Sequence, residues 1–121
     1  MSHPSPDDRL LAAIWQNIRS LDASNVERIQ AAAKVVADGA KPEDVAAVMQ
    51  AGALMAAFDL LYLVAGEHSE LDDPDATTGW ALVEADLVGD EVIPRPERAM
   101  DGIYEMLLTS DPTGREGQDI V

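Results

Sequence analysis

A chain of 121 residues with 47% hydrophobic content has room for one domain around a single modest core, and is too apolar for a disordered acidic tail. Twenty-three acidic residues against two Lys and six Arg give a net charge of −15, which argues against direct binding to nucleic acid or to an anionic membrane surface. With no cysteine in the chain, a disulfide scaffold, a thiolate metal centre and a cysteine nucleophile are excluded.

The N-terminal run Met-Ser-His-Pro-Ser-Pro-Asp-Asp has neither the basic nor the apolar region of a secretory signal, so a cytoplasmic location is the expectation. Ser5, Pro6 and Asp8 form a helix start of the capping-box kind. Leu10, Leu11, Ile14, Ile18 and Leu21 follow at helical spacing, with Trp15 at the edge of the stripe and Arg9, Gln16 and Arg19 outward. This predicts a first helix over residues 6–21. Ser24 and Glu27 repeat the capping signature, and Val26, Ile29, Ala33 and Val36 line one face. A second helix is expected over 25–38, closed by Gly39.

Pro42, Glu43 and Asp44 open a third helix that meets no breaker before Gly66, so residues 42–65 read as one long helix with Gly52 its weak point. Its second half is apolar nearly all round apart from Asp59. Such a helix is central to its domain, at a subunit interface, or in a membrane. A mid-helix Asp and the absence of flanking Lys or Arg disfavour the membrane, and the expectation is a buried central helix. Asp59 must then find a partner, such as an Arg of the first or second helix, or line a functional pocket. Because the remaining helices are short, the apolar face of residues 45–65 predicts a homodimer, with Ala53, Ala56 and Ala57 permitting close approach.

Residues 67–79 read as a polar loop rich in turn residues. Between Trp80 and Ile93 two readings compete. Gly89-Asp90 with β-branched Val92 and Ile93 favours a hairpin ended by Pro94, whereas Trp80, Val83 and Leu87 also fit a short helix ended by Gly89. The hairpin is preferred. From Pro96, the spacing of Met100, Ile103, Tyr104 and Leu107 predicts a C-terminal helix weakened by Gly102, followed by a type I turn at Asp111–Gly114. The fold class expected is mainly α: a single domain over 1–121, with about four helices and one short hairpin between the long third helix and the C-terminal one. Residues 1–5 and 115–121 are expected to fray unless docked.

The charge is unevenly distributed. Residues 1–60 have a net charge of −3 and residues 61–121 a net charge of −12. No Lys or Arg lies between Lys41 and Arg95, and nine acidic residues fall between Glu67 and Glu91. A solvated face that aids solubility accounts for this simply. The functional alternative is a patch that meets a basic partner protein, formed by Asp72, Asp73, Asp75, Asp90 and Glu91 with Trp80 as an aromatic anchor. Trp80 packing into the core is the competing expectation for that side chain.

No catalytic constellation stands out. His68, Glu70, Asp72, Asp73 and Asp75 are hard ligands but lack the spacing of a calcium loop. Glu84, Asp86, Asp90 and Glu91 supply paired carboxylates without evidence that any one is desolvated. Thr113-Gly114-Arg115-Glu116-Gly117 lacks the strand and Lys of a phosphate loop. No cofactor, metal or catalytic residue is assigned. The reading is a small acidic, non-enzymatic interaction protein of the inhibitor, immunity-protein or nucleic-acid-mimic kind. The alternative is a helical oligomer with a metal-dependent hydrolase site in the acidic loop.

Overall fold

The computed structural model describes residues 6–65 and 80–119, and within them the protein is mostly helical. Helix α1 is Pro6–Arg19, α2 is Gln30–Ala37 and α3 is Pro42–Ala65. Strands β1, Val83–Val88, and β2, Glu91–Ala99, form a two-stranded antiparallel hairpin after the long third helix. Ser5, the proposed cap of α1, lies outside the described residues, as does the segment 66–79.

The core forms where one face of α1 meets α3 and the chain after the hairpin. Leu11, Trp15 and Ile18 of α1 pack with Leu54, Leu61 and Ala65 of α3 and with Met100, Ile103 and Leu107. Trp15, expected at the edge of the stripe, is fully buried. Its indole N–H donates to the Leu107 carbonyl at 2.7 Å, so the buried ring leaves no unpaired donor. A second, smaller cluster joins Val26, Ala32 and Ala46.

The second helix is shorter than expected. Residues 26–28 form a single 3₁₀ turn, Ile29 is extended, and α2 begins only at Gln30. The Ser24–Glu27 capping box does not form. Ser24 instead donates its backbone N–H and hydroxyl to the Asp22 carboxylate, at 3.1 and 2.7 Å. That local turn competes with the cap for the same hydroxyl.

Helix α3 matches its expected span but not its expected burial. Only Ala46, Leu54, Leu61 and Ala65 along it are buried, because α1, α2 and the C-terminal segment cover one side. Among the described residues α3 is the one helix long and apolar enough to cross a bilayer, and 11% of its most apolar 18-residue stretch is buried. Asp59 lies on the uncovered side, exposed and without an ion pair to α1 or α2. Ala53 and Ala57 pack inward against the core, leaving Ala56 as the exposed member of that trio.

Among the described residues no C-terminal α-helix is seen. Pro94 does not end β2, and Pro96, expected to start the helix, lies inside the strand. In a two-stranded ribbon each strand has an open edge, so a proline without an N–H is accommodated there. The Met100 N–H then donates to the Leu82 carbonyl at 2.8 Å, extending the pairing past the strand ends. Gly102 follows at φ +72°, a left-handed conformation that breaks any helix begun upstream, and its N–H bonds the Ala65 carbonyl at the end of α3. Ile103–Met106 is a 3₁₀ turn. The apolar spacing thus serves burial of Met100, Ile103 and Leu107 without a helix.

The turn expected at Asp111–Gly114 is present, with the Gly114 N–H on the Asp111 carbonyl at 2.9 Å. Residues 115–119 are docked by Arg19. Its guanidinium spans both oxygens of Asp119, at 2.7 and 3.1 Å, and reaches Asp111 at 2.6 Å. Arg19, expected outward, is therefore turned onto the C-terminal segment, where it also lies 5.2 Å from the Trp15 ring centroid.

Candidate interaction surface

The hairpin is built around the two-residue turn Gly89-Asp90, with Gly89 at φ +62°. Its register pairs Val88 with Glu91, Leu87 with Val92, Asp86 with Ile93 and Ala85 with Pro94. Below that point the ladder is irregular, and Val83 pairs with Ala99. The extra β2 residues in the irregular stretch include Arg95 and Arg98, both of which turn back toward β1.

The base of the hairpin is electrically balanced. Arg95 Nε donates to Asp86 at 2.6 Å, and Arg98 bridges Glu84 at 2.8 Å and Asp86 at 3.3 Å. Arg9 of α1 lies 3.6 Å from the other Glu84 oxygen. The hydrogen bond from Arg95 is the main reason the Asp86 carboxyl is held below the usual carboxylate range, and Arg98 adds to it. A carboxylate so stabilised is a poor proton donor near neutral pH. Glu84 and Asp86, weighed as an acid–base pair, are thus occupied as ion-pair partners. Among the described residues no group of three or more His, Asp or Glu is placed to hold a metal ion.

The tip differs in both charge and polarity. Asp90 and Glu91 are exposed and form no ion pair among the described residues. Beside them stand Leu87 (77% exposed), Val92 (65%) and Val88 (58%). Leu87 and Val92 are register partners and so project from the same face. The contacts of the two strands are overwhelmingly with each other, which leaves this tip away from the helices. Trp80, at the entrance to the hairpin, is 60% exposed and not part of the core.

Of the residues proposed from sequence, Trp80, Asp90 and Glu91 are on exposed chain, whereas Asp72, Asp73 and Asp75 lie outside the described residues, as do His68 and Glu70. The apolar contribution of Leu87, Val88 and Val92 was missing from the sequence reading. The Gly89-Asp90 turn located the tip in the sequence, but its exposure follows from the strands packing mainly on each other, a long-range fact with no local signal.

A second exposed apolar feature is a depression of about 210 Å³ against the side of α3, lined by Leu54, Met55, Phe58, Asp59 and Leu108. It adjoins the uncovered face of that helix and offers one carboxylate in an otherwise apolar lining, which is little for substrate chemistry. Comparison with protein-family models, with curated proteins and with solved structures gives no match to this chain.

Proposed function

We propose that this protein is a non-enzymatic interaction module that presents its hairpin tip to a basic surface of a partner protein, as a stoichiometric binder of the inhibitor or immunity kind. One observation carries the reading. The carboxylates at the hairpin base, Glu84 and Asp86, are matched by Arg9, Arg95 and Arg98, while Asp90 and Glu91 at the tip have no cation partner among the described residues and stand beside Leu87, Val88 and Val92. Apolar side chains held in water together with uncompensated charge suit a contact that buries the former and steers by the latter. Trp80 supplies an aromatic that can be buried at the rim. The acidic excess of residues 67–75 would add to the long-range attraction by charge alone.

The experiment compares capture by immobilised wild-type protein and by a tip variant carrying Leu87→Ser, Val88→Thr, Asp90→Lys, Glu91→Lys and Val92→Thr. The wild type is expected to retain a basic protein from its host that the variant does not, with unchanged circular dichroism in the helical bands. Equal retention by both would reduce the acidic surface to a solubility device.

A further inference from the structure

The two outer edges of the hairpin are not equivalent. Val88 and Glu91 flank the two-residue turn, and residues in that position exchange both of their ladder hydrogen bonds. Alternation from there makes Leu87 with Val92, and Ala85 with Pro94, the pairs whose N–H and C=O groups point away from the neighbouring strand. At the other end, the hydrogen bond from the Met100 N–H to the Leu82 carbonyl puts Val83 and Ala99 in the same outward class. The outer edge of β2 is therefore interrupted at Pro94, which has no N–H to offer a further strand, and Pro96 follows two residues on. The outer edge of β1 has outward N–H groups on Val83, Ala85 and Leu87 and no proline. Among the described residues no strand lies beside it.

Proteins blunt the strand edges that must stay unpaired, and in this hairpin one edge is blunted and the other is not. We infer that the outer edge of β1 is a docking edge, and that its occupant is an extended cationic segment of a partner protein, added to the hairpin as a third strand. The inference rests on the reading of the hairpin as the contact with a basic partner, and it names how that partner is held. Backbone hydrogen bonds supply affinity in such an arrangement, and alternate side chains supply selectivity. Val83, Ala85 and Leu87 share one face with Val92 and Pro94, while Glu84 and Asp86 share the other. Leu87 is 77% exposed and Val92 65%, so every second residue of the added strand has an apolar strip to lie against. The residues between them fall beside Asp86 and near the tip carboxylates Asp90 and Glu91, which favours Lys or Arg there.

A second copy of β1 is the other ready-made strand, and charge opposes it. Outward residues pair with outward residues, so the antiparallel registers over this edge centre on a single residue. Centred on Ala85, Glu84 faces Asp86 of the other copy. Centred on Glu84 or Asp86, that residue faces itself, and centred on Leu87, Glu84 faces Asp90. Each register opposes carboxylate to carboxylate, while Arg95 and Arg98 are held on the β2 side. The same carboxylates welcome a cationic strand.

The test follows individual amides of the full chain by NMR hydrogen exchange. In the free protein Ala85 and Leu87 should exchange faster than Asp86 and Val88, and the synthetic peptide Lys-Val-Lys-Val-Lys-Val-Lys at about 1 mM should slow both by about tenfold or more. Two further peptides, N-methylated on every lysine or on every valine, keep the charge and side chains but block one edge each. One should bind like the parent and the other about tenfold more weakly or worse. Ala85→Pro, which removes an outward N–H as Pro94 does across the ladder, should lose the peptide with unchanged helical circular dichroism. Four results would each overturn the inference: Ala85 and Leu87 already protected in the free chain, no binding of the parent peptide, equal binding of the two N-methylated peptides, or unchanged binding by Ala85→Pro. Any of these, alongside a partner captured by wild type and lost by the tip variant, would discard strand addition and keep the proposed function. Edge-dependent peptide binding, alongside equal capture by wild type and the tip variant, would do the reverse.

Discussion

Arg19 and Asp111, 92 residues apart in sequence, meet at 2.6 Å in an ion pair whose aspartate side chain is fully buried and whose arginine side chain is 20% exposed. The pair joins the end of α1 to the segment after the 3₁₀ turn. Burial acts against the charge on Asp111. The backbone N–H groups of Thr113 and Gly117, the Thr113 hydroxyl and Arg19 together outweigh it and hold the carboxyl below its ordinary range.

Removing Arg19 leaves the buried Asp111 charge without its counter-ion, whereas removing Asp111 leaves Arg19 still paired with Asp119. Arg19→Ala is expected to destabilise the protein by about 3 kcal/mol, the scale for breaking a buried pair from one side. Arg19→Lys should recover only part of the loss, since an ammonium does not reproduce the two-oxygen contact with Asp119. Thermal unfolding by calorimetry checks both values.

Acid should unfold the protein through this cluster. The hydrogen bond from Arg19 is the main cause that lowers the Asp119 carboxyl from 3.8 to about 2, and Asp111 is lowered as well. Groups whose folded value lies below their unfolded one contribute stability that is fully present above the unfolded value and lost as pH falls through the folded one. The loss attributable to Asp119 therefore falls between about pH 4 and pH 2. In Arg19→Gln, the stability measured by urea unfolding should start lower and decline less steeply over that interval.

Gly117 is the tightest point of the docked tail. It has φ +72°, and a Cβ there would lie 3.0 Å from Leu54 Cδ2 and 3.2 Å from Leu108 Cδ2. Gly117→Ala combines backbone strain with a clash and is expected to cost about 1–3 kcal/mol. Hydrogen exchange should show the loss as faster exchange in residues 111–119, ahead of α1 and α3.

The hairpin base makes a contrasting prediction. Its ion pairs are exposed, with Arg95 40% and Arg98 44% accessible, so Arg98→Ala should leave the thermal midpoint nearly unchanged. The same change uncovers Glu84 and adds net negative charge beneath the tip. Stopped-flow association with the captured basic partner should then be faster at low salt, with the difference fading as salt screens it.

What could be read from sequence divides along local and long-range lines. The span of α3 was legible because Pro42 and the acidic first turn mark its start and no breaker interrupts it. The hairpin was legible because Gly89-Asp90 is strong local turn chemistry. The C-terminal helix failed because the apolar spacing of Met100, Ile103 and Leu107 carries a burial pattern and not a backbone conformation, and Gly102 settled the conformation. Trp15, read at the edge of the α1 stripe, is fully buried, and the partner that satisfies its indole N–H, the Leu107 carbonyl, lies 92 positions away. Trp80 is exposed, so the competing expectation that it packs into the core fails. Arg19 read as an outward polar residue of α1, since its partners Asp111 and Asp119 lie about a hundred positions away and neither shows any local sign of it.

The most direct measurement of the central claim is amide hydrogen exchange of the full chain, alone and bound to a basic protein retained in the capture experiment. Binding through the hairpin tip should slow exchange at residues 87–92 and leave the amides of α1 and α3 unchanged. Protection confined to the helices, with residues 87–92 exchanging at the same rate in both states, would contradict it.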